Sequence, residues 1–126
     1  MSWNSTIGRS EVAASSLGPV LRIRCELLIL RMRIEELARR LPVDLLGEAP
    51  GRGQIQLRLW GLVALGGDEP AMRRQVLRVQ RVYRLSSEYL HSRRAGLVPP
   101  PTELRGWEED VTALESAAHR LIGSQG

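Results

Sequence analysis

Glu88 and His91 form the spacing in this sequence that comes nearest to a metal site. A Glu and a His three positions apart share one face of a helix, an arrangement used by carboxylate-bridged metal sites in helical bundles. Such a site also needs a second pair and further carboxylates, whereas Glu115 and His119 are four positions apart. Glu88 and His91 lie away from the apolar seam of their helix, and one cysteine with two histidines cannot assemble a structural zinc site. We therefore expect no metal and no cofactor.

Catalytic motifs are also missing. The sequence contains no Gly-x-Ser-x-Gly, Walker A or Gly-x-Gly-x-x-Gly pattern, and its 18 basic residues are all arginine, so no lysine amine is available for covalent catalysis. Arg52, between two glycines, is better interpreted as part of a connecting loop than as a phosphate site. Arg24 and Arg31 offer one enzymatic alternative, a clamp for a carboxylate substrate inside the bundle. We expect a protein that is not an enzyme and has no catalytic residues.

Composition bears on origin and location. The chain has 126 residues, a net charge of +4, no lysine, no phenylalanine and a single asparagine, a pattern that the codon usage of a GC-rich, bacterial genome explains. Cys25 has no partner for an internal disulfide, and its apolar helix suggests a buried thiol in a reducing compartment, with a disulfide between two copies as the alternative. Residues 1–17 are polar, so we expect no signal peptide there, and no apolar run is long enough to cross a bilayer. These features predict a cytoplasmic protein.

An uninterrupted heptad pattern is the strongest structural signal. Seven apolar residues follow one another at spacings of 3, 4, 3, 4, 3 and 4, as on a helix that packs against another helix: Val20, Ile23, Leu27, Leu30, Ile34, Leu37 and Leu41. The pattern predicts a first helix from about Pro19 to Arg40, ended by Pro42. Residues 20–34 also alternate apolar and polar, which leaves a half-buried strand as the alternative.

Three further helices follow. A short one is expected from Gln54 to Leu65, with a strand as the alternative for residues 54–60, and Gly66-Gly67 should end it. Asp68 should cap a long third helix, residues 69–94, and Thr102 a fourth that extends to about residue 121. Heptad seams mark the last two helices: Met72, Val76, Val79, Tyr83, Ser86 and Leu90 in the third, and Leu104, Trp107, Val111, Leu114, Ala118 and Leu121 in the fourth.

These elements predict an all-α fold, an antiparallel helical bundle of three long helices and one short helix with coiled-coil-like heptad seams. Residues 1–16 should form a loose N-terminal arm, residues 17–123 a single domain and residues 124–126 a tail. The three long helices have comparable lengths and short connections, which favours antiparallel neighbours.

The first helix carries a second apolar stripe that one chain has no obvious element to cover: Leu21, Cys25, Leu28 and Met32. We expect these residues, together with Trp60, to form an oligomer interface, most simply in a two-fold homodimer. The alternative is that the short helix and the N-terminal arm cover the stripe in a monomer. The predicted function is protein–protein interaction, as an adaptor or accessory subunit whose further protein partner the sequence does not name.

The third helix is basic, and Arg74, Arg78 and Arg81 lie opposite its apolar seam. A ladder of this kind can follow a phosphate backbone, so a basic helical nucleic-acid-binding protein is the alternative function. The sequence has no helix-turn-helix spacing, no zinc finger and no aromatic residues interleaved with the ladder. Because the fourth helix is acidic, its carboxylates offer the arginines partners within the chain.

Overall fold

A computed structural model of the chain describes residues 18–41, 55–92 and 97–125. The described residues contain four helices and no strand: α1 (Pro19–Arg40), α2 (Ile55–Leu65), α3 (Pro70–His91) and α4 (Pro101–Gln125). The all-helical prediction is confirmed, and the strand alternatives for residues 20–34 and 55–60 are wrong. The predicted arm (1–16), the connection around Arg52, and the arginines at 93 and 94 lie outside the described residues.

A tight turn joins α2 to α3. Gly67 has a φ of 71°, in the left-handed region that glycine enters without strain, and it ends α2 as expected. Asp68 stays in that region with a φ of 60°, while an N-cap residue needs extended backbone. Glu69, with φ −67° and ψ 131°, therefore occupies the N-cap position, without a side-chain capping bond. The prediction that Asp68 caps α3 is wrong.

The other helix ends also differ from expectation. Thr102 lies inside α4, because Pro101 starts the helix and the first backbone bond runs from the Leu104 N–H to the Pro100 carbonyl. Proline suits the first helical position because its fixed φ is already helical. At the other end α4 continues through residues 124 and 125, which the sequence assigned to a tail. Finally, α3 stops at His91, three residues before its predicted end.

The core lies where α3 meets the other helices, since α3 contacts α1, α2 and α4. Almost all of the predicted seam residues are buried in it, and three are partly exposed: Val20, Leu90 and Leu121. From α2 the core receives Ile55, Leu59, Leu62 and Val63, as expected. Trp107 is buried, with its ring centre 6.1 Å from that of Tyr89, and Trp60 packs against the core while remaining partly exposed.

Two arginines bind the carboxyl ends of neighbouring helices. The Arg58 side chain, only 1 % exposed, donates from Nε to the Ala38 carbonyl and from Nη2 to the Leu41 carbonyl, both at 3.0 Å. Arg24 donates in the same way to the carbonyls of Tyr89 (3.3 Å) and residue 90 (3.0 Å) at the end of α3. The last carbonyls of a helix lack their regular helical donors, and these guanidinium groups donate to them. The carbonyls of Ala38 and Tyr89 also accept a backbone N–H, from Leu41 and Ser92 respectively.

Candidate interaction surfaces

The predicted second stripe of α1 faces away from the core. Leu28 is 52 % exposed and Met32 is 58 % exposed, while Leu21 and Cys25 are exposed as well. Their spacings of 4, 3 and 4 positions place the four side chains on one helix face. We call these four residues the outer stripe. The expectation that Cys25 is buried within the chain is wrong, because this residue belongs to the outer stripe rather than to the inner seam.

Ile29 widens the outer stripe and was missed by the sequence analysis. It is 54 % exposed and lies four positions after Cys25 and three before Met32, so it shares a helix face with both. That spacing was the available signal. Trp60, expected at the same interface, has its ring packed against the core and keeps only part of its surface exposed. Its role in an interface remains a prediction.

A groove of about 1180 Å³ lies between α1 and α4 and begins beside the outer stripe. Ile29 and Met32 line one side of it, and Ala118 and Ile122 line the other, with Leu37 also contributing. Charged groups from both helices surround this apolar surface. Nothing in the sequence indicated the groove, because it depends on how two helices distant in the chain lie beside each other.

An arginine–carboxylate pair links α1 to α4 at this groove. Arg33 binds both carboxylate oxygens of Glu115, one of them from Nε at 3.2 Å, and also donates to the Thr112 hydroxyl at 2.9 Å. The hydrogen bond to Glu115 raises the pKa of Arg33 above its ordinary value, although partial burial acts in the opposite direction. Both side chains remain about one-third exposed, at 31 % and 35 %, so the pair is screened by water.

Arg31, half of the carboxylate clamp considered above, is engaged by the chain itself. Its guanidinium lies 4.7 Å from the centre of the Tyr83 ring and donates to the Tyr83 hydroxyl at 3.1 Å. That hydroxyl donates in turn to Glu35 at 3.0 Å. With Arg24 bound to the end of α3, both arginines of the clamp already have partners between α1 and α3.

The basic residues of α3 lie on its outer side. Arg74, Arg78 and Arg81 are exposed, and so is Arg84. Within the described residues none of the four forms an ion pair, and no ion pair joins α3 to α4. Arg73, by contrast, is paired with Asp68 in the turn before the helix. The described carboxylates of α4 therefore do not neutralise this surface by direct contact.

Other classes of site find little support in the described residues. Glu88 and His91 are exposed, and no three potential metal ligands of the described segments lie close enough together to hold an ion. Among these residues, too, no helix combines the length and the hydropathy that a bilayer crossing requires. Comparison with protein families, with curated proteins and with solved structures finds no match to this chain.

Proposed function

We propose that this protein is a non-enzymatic assembly protein of the cytoplasm that acts as a homo-oligomer, with a second copy of the chain covering the outer stripe. The exposure of Leu28 and Met32, on the side of α1 opposite its buried seam, is the observation that carries the proposal. Contiguous apolar surface on a water-soluble helix is typical of an interaction site. Ile29 and the adjoining groove enlarge the surface that a partner can cover.

The spacing of the outer stripe supports a second copy as the partner. The steps of 4, 3 and 4 positions are the same in both directions along the helix. Two α1 helices crossing antiparallel about a two-fold axis between Cys25 and Leu28 therefore match residue for residue: Leu21 of one copy faces Met32 of the other, and Cys25 faces Leu28. A two-fold interface requires this kind of self-complementary patch.

Within each copy, the proposal includes an antiparallel bundle with heptad packing. Arg24 binds near the end of α3 at Tyr89, whereas Arg31, farther along α1, binds the earlier residue Tyr83. Because the later residue of α1 contacts the earlier residue of α3, these hydrogen bonds support an antiparallel orientation of α1 and α3. The burial of the three long seams supports knobs-into-holes packing between these helices.

Multi-angle light scattering tests the oligomer. We expect the wild type to have twice the mass of the 14.1 kDa chain at tens of micromolar. Leu28→Glu and Met32→Glu should each give monomers, because a carboxylate in an apolar interface is costly to desolvate. Leu77→Glu is the matched control, since Leu77 is 50 % exposed on α3 and should leave the dimer intact. A monomeric wild type, or a monomer produced equally by Leu77→Glu, would contradict the proposal.

Cysteine cross-linking tests the geometry of the dimer. In the antiparallel arrangement Leu28→Cys places the new thiol opposite Cys25 of the other copy, so mild oxidation should yield a covalent dimer. The wild type, in which Cys25 faces Leu28, should cross-link poorly, and so should the control Leu77→Cys. Efficient cross-linking of the wild type through Cys25 would instead indicate parallel α1 helices.

A further inference from the structure

The outward face of α3 carries four arginines in succession. Arg74, Arg78, Arg81 and Arg84 are all exposed, and none of them is ion-paired with a described residue. We call these four residues the basic face. Glu88 is the acidic residue that follows on the same side of the helix. Four exposed guanidinium groups on one side of a helix, none ion-paired with a described residue, form a surface suited to an anionic ligand.

The dimensions of the basic face match a run of phosphates. Arg74 and Arg84 are ten positions apart, which at a rise of about 1.5 Å per residue is about 15 Å along the helix. Each strand of a duplex places one phosphate per about 3.4 Å of the duplex axis, so an axial length of about 15 Å spans about four phosphates of one strand. Guanidinium groups also suit phosphate oxygens in particular, because their donors can form two parallel hydrogen bonds.

The composition of the face argues against the other anionic partners. Leu77 is its one exposed large apolar side chain among the described residues, whereas protein interfaces have an apolar centre. A membrane-binding helix inserts an apolar face, but that of α3 is occupied, since Val76, Val79 and Val82 are buried in the core. A charged surface without an apolar centre favours a nucleic acid over a protein or a lipid surface.

The positions of the aromatic residues of α3 favour double-stranded over single-stranded nucleic acid as the ligand. Proteins that hold single-stranded nucleic acid stack its bases on exposed aromatic rings. The aromatic residues of α3, Tyr83 and Tyr89, instead pack inward, Tyr83 among buried residues and Tyr89 against Trp107. A duplex, which presents its phosphates outward and keeps its bases stacked inside, requires no such rings.

We infer that the basic face binds the phosphate backbone of duplex nucleic acid without recognising base sequence. Each arginine contributes through phosphate contacts and counterion release, which do not depend on base sequence. This site lies on α3, whereas the outer stripe lies on α1, so the inference does not depend on the proposed oligomer.

Fluorescence anisotropy with a labelled random-sequence DNA duplex tests the inference. Four phosphate contacts predict a slope of about −3.6 in a plot of log affinity against log salt concentration, since each contact contributes about −0.9. Between about 50 and 200 mM salt the affinity should therefore fall about 150-fold. Absence of binding at the lower salt concentration, or a slope near zero, would overturn the inference.

Variants locate the binding to the basic face. The triple variant Arg74→Glu/Arg78→Glu/Arg81→Glu should abolish binding while circular dichroism shows unchanged helicity. A single Arg78→Gln should reduce the salt slope by about 0.9. Arg105→Gln, which removes one exposed positive charge from α4, should leave the slope unchanged. An equal reduction of the salt slope with Arg105→Gln would overturn the inference, because the attraction would then be diffuse rather than located at the basic face. Tighter binding to polyglutamate, to anionic vesicles or to single strands than to the duplex would overturn it as well.

Discussion

The two apolar faces of α1 have similar residues and opposite environments. Leu27, Leu30 and Ile34 are almost fully buried, whereas Leu28 and Met32, on the same helix, are more than half exposed. Both sets follow the spacing of a packed helix face. The comparison teaches that periodicity identifies a surface that needs covering, while the arrangement of the other helices decides whether the chain covers it itself.

The arginines also differ from one another in exposure and in the groups they bind. Arg58 is buried and bound to the end of α1, Arg33 is partly exposed and paired across a groove, and Arg78 is exposed on the basic face. If buried residues stabilise the fold and exposed residues bind partners, substitutions of buried residues must lower the free energy of unfolding, whereas substitutions of exposed residues must change binding and leave stability unaltered. The following predictions test that division, in order of decreasing effect on stability.

Leu30→Ala should have the largest effect on stability. Removing a fully buried leucine side chain leaves a cavity, and we expect the free energy of unfolding to fall by about 2 to 5 kcal/mol. The matched change Leu28→Ala should alter it by less than about 0.5 kcal/mol in the dissociated chain, because this side chain is exposed. Urea denaturation at protein concentrations low enough to prevent association measures both. Equal losses would mean that the two faces do not differ as described.

Arg58→Met should destabilise the chain by about 2 to 3 kcal/mol. The substitution keeps an unbranched apolar stem but leaves the carbonyls of Ala38 and Leu41 without their guanidinium donor, and hydrogen bonds from charged groups contribute about 1.5 to 3 kcal/mol. Arg78→Met, on the basic face, is the control and should change stability by less than about 0.5 kcal/mol. Thermal unfolding of the two variants compares them, and a similar melting temperature for both would refute a capping role for Arg58.

Arg33→Gln should have a small effect, about 0.2 to 1 kcal/mol, because the pair with Glu115 is partly exposed. The loss should shrink at high salt, which screens the pair. A double-mutant cycle with Glu115→Gln isolates the interaction, and Arg105→Gln controls for the change in net charge. A coupling free energy near zero would show that the pair contributes nothing to the docking of α4 on α1.

Much of the fold could be predicted because a helix that buries one face requires apolar residues at regular three- and four-residue spacings, which can be seen in the sequence. The seam that begins at Val20 predicted the bounds of α1, and the two later seams predicted most of the buried residues of α3 and α4. Cap positions were predicted less well. Asp68 and Thr102 have suitable side chains, but a cap also needs extended backbone next to the first turn, and the prolines that open both helices decide where that turn begins.

The candidate surfaces were partly predictable for the same reason. The outer stripe and three of the four arginines of the basic face follow from spacing along one helix. The role of Arg58 does not, because its acceptors lie 17 and 20 residues away at the carboxyl end of α1. The groove beside Ile29 likewise joins residues about 80 or more positions apart, so no local pattern contains it.

By itself, the sequence determined which faces of the four segments would be apolar or basic if they were helical, and it favoured helices over the strand alternatives at residues 20–34 and 54–60, since these properties repeat every few residues along one element. The tertiary structure alone decided that α1 and α4 form a groove, which arginines bind helix ends and which remain exposed. The physical reason is that burial and charge pairing depend on neighbours brought close by folding, and those neighbours lie far apart in the chain.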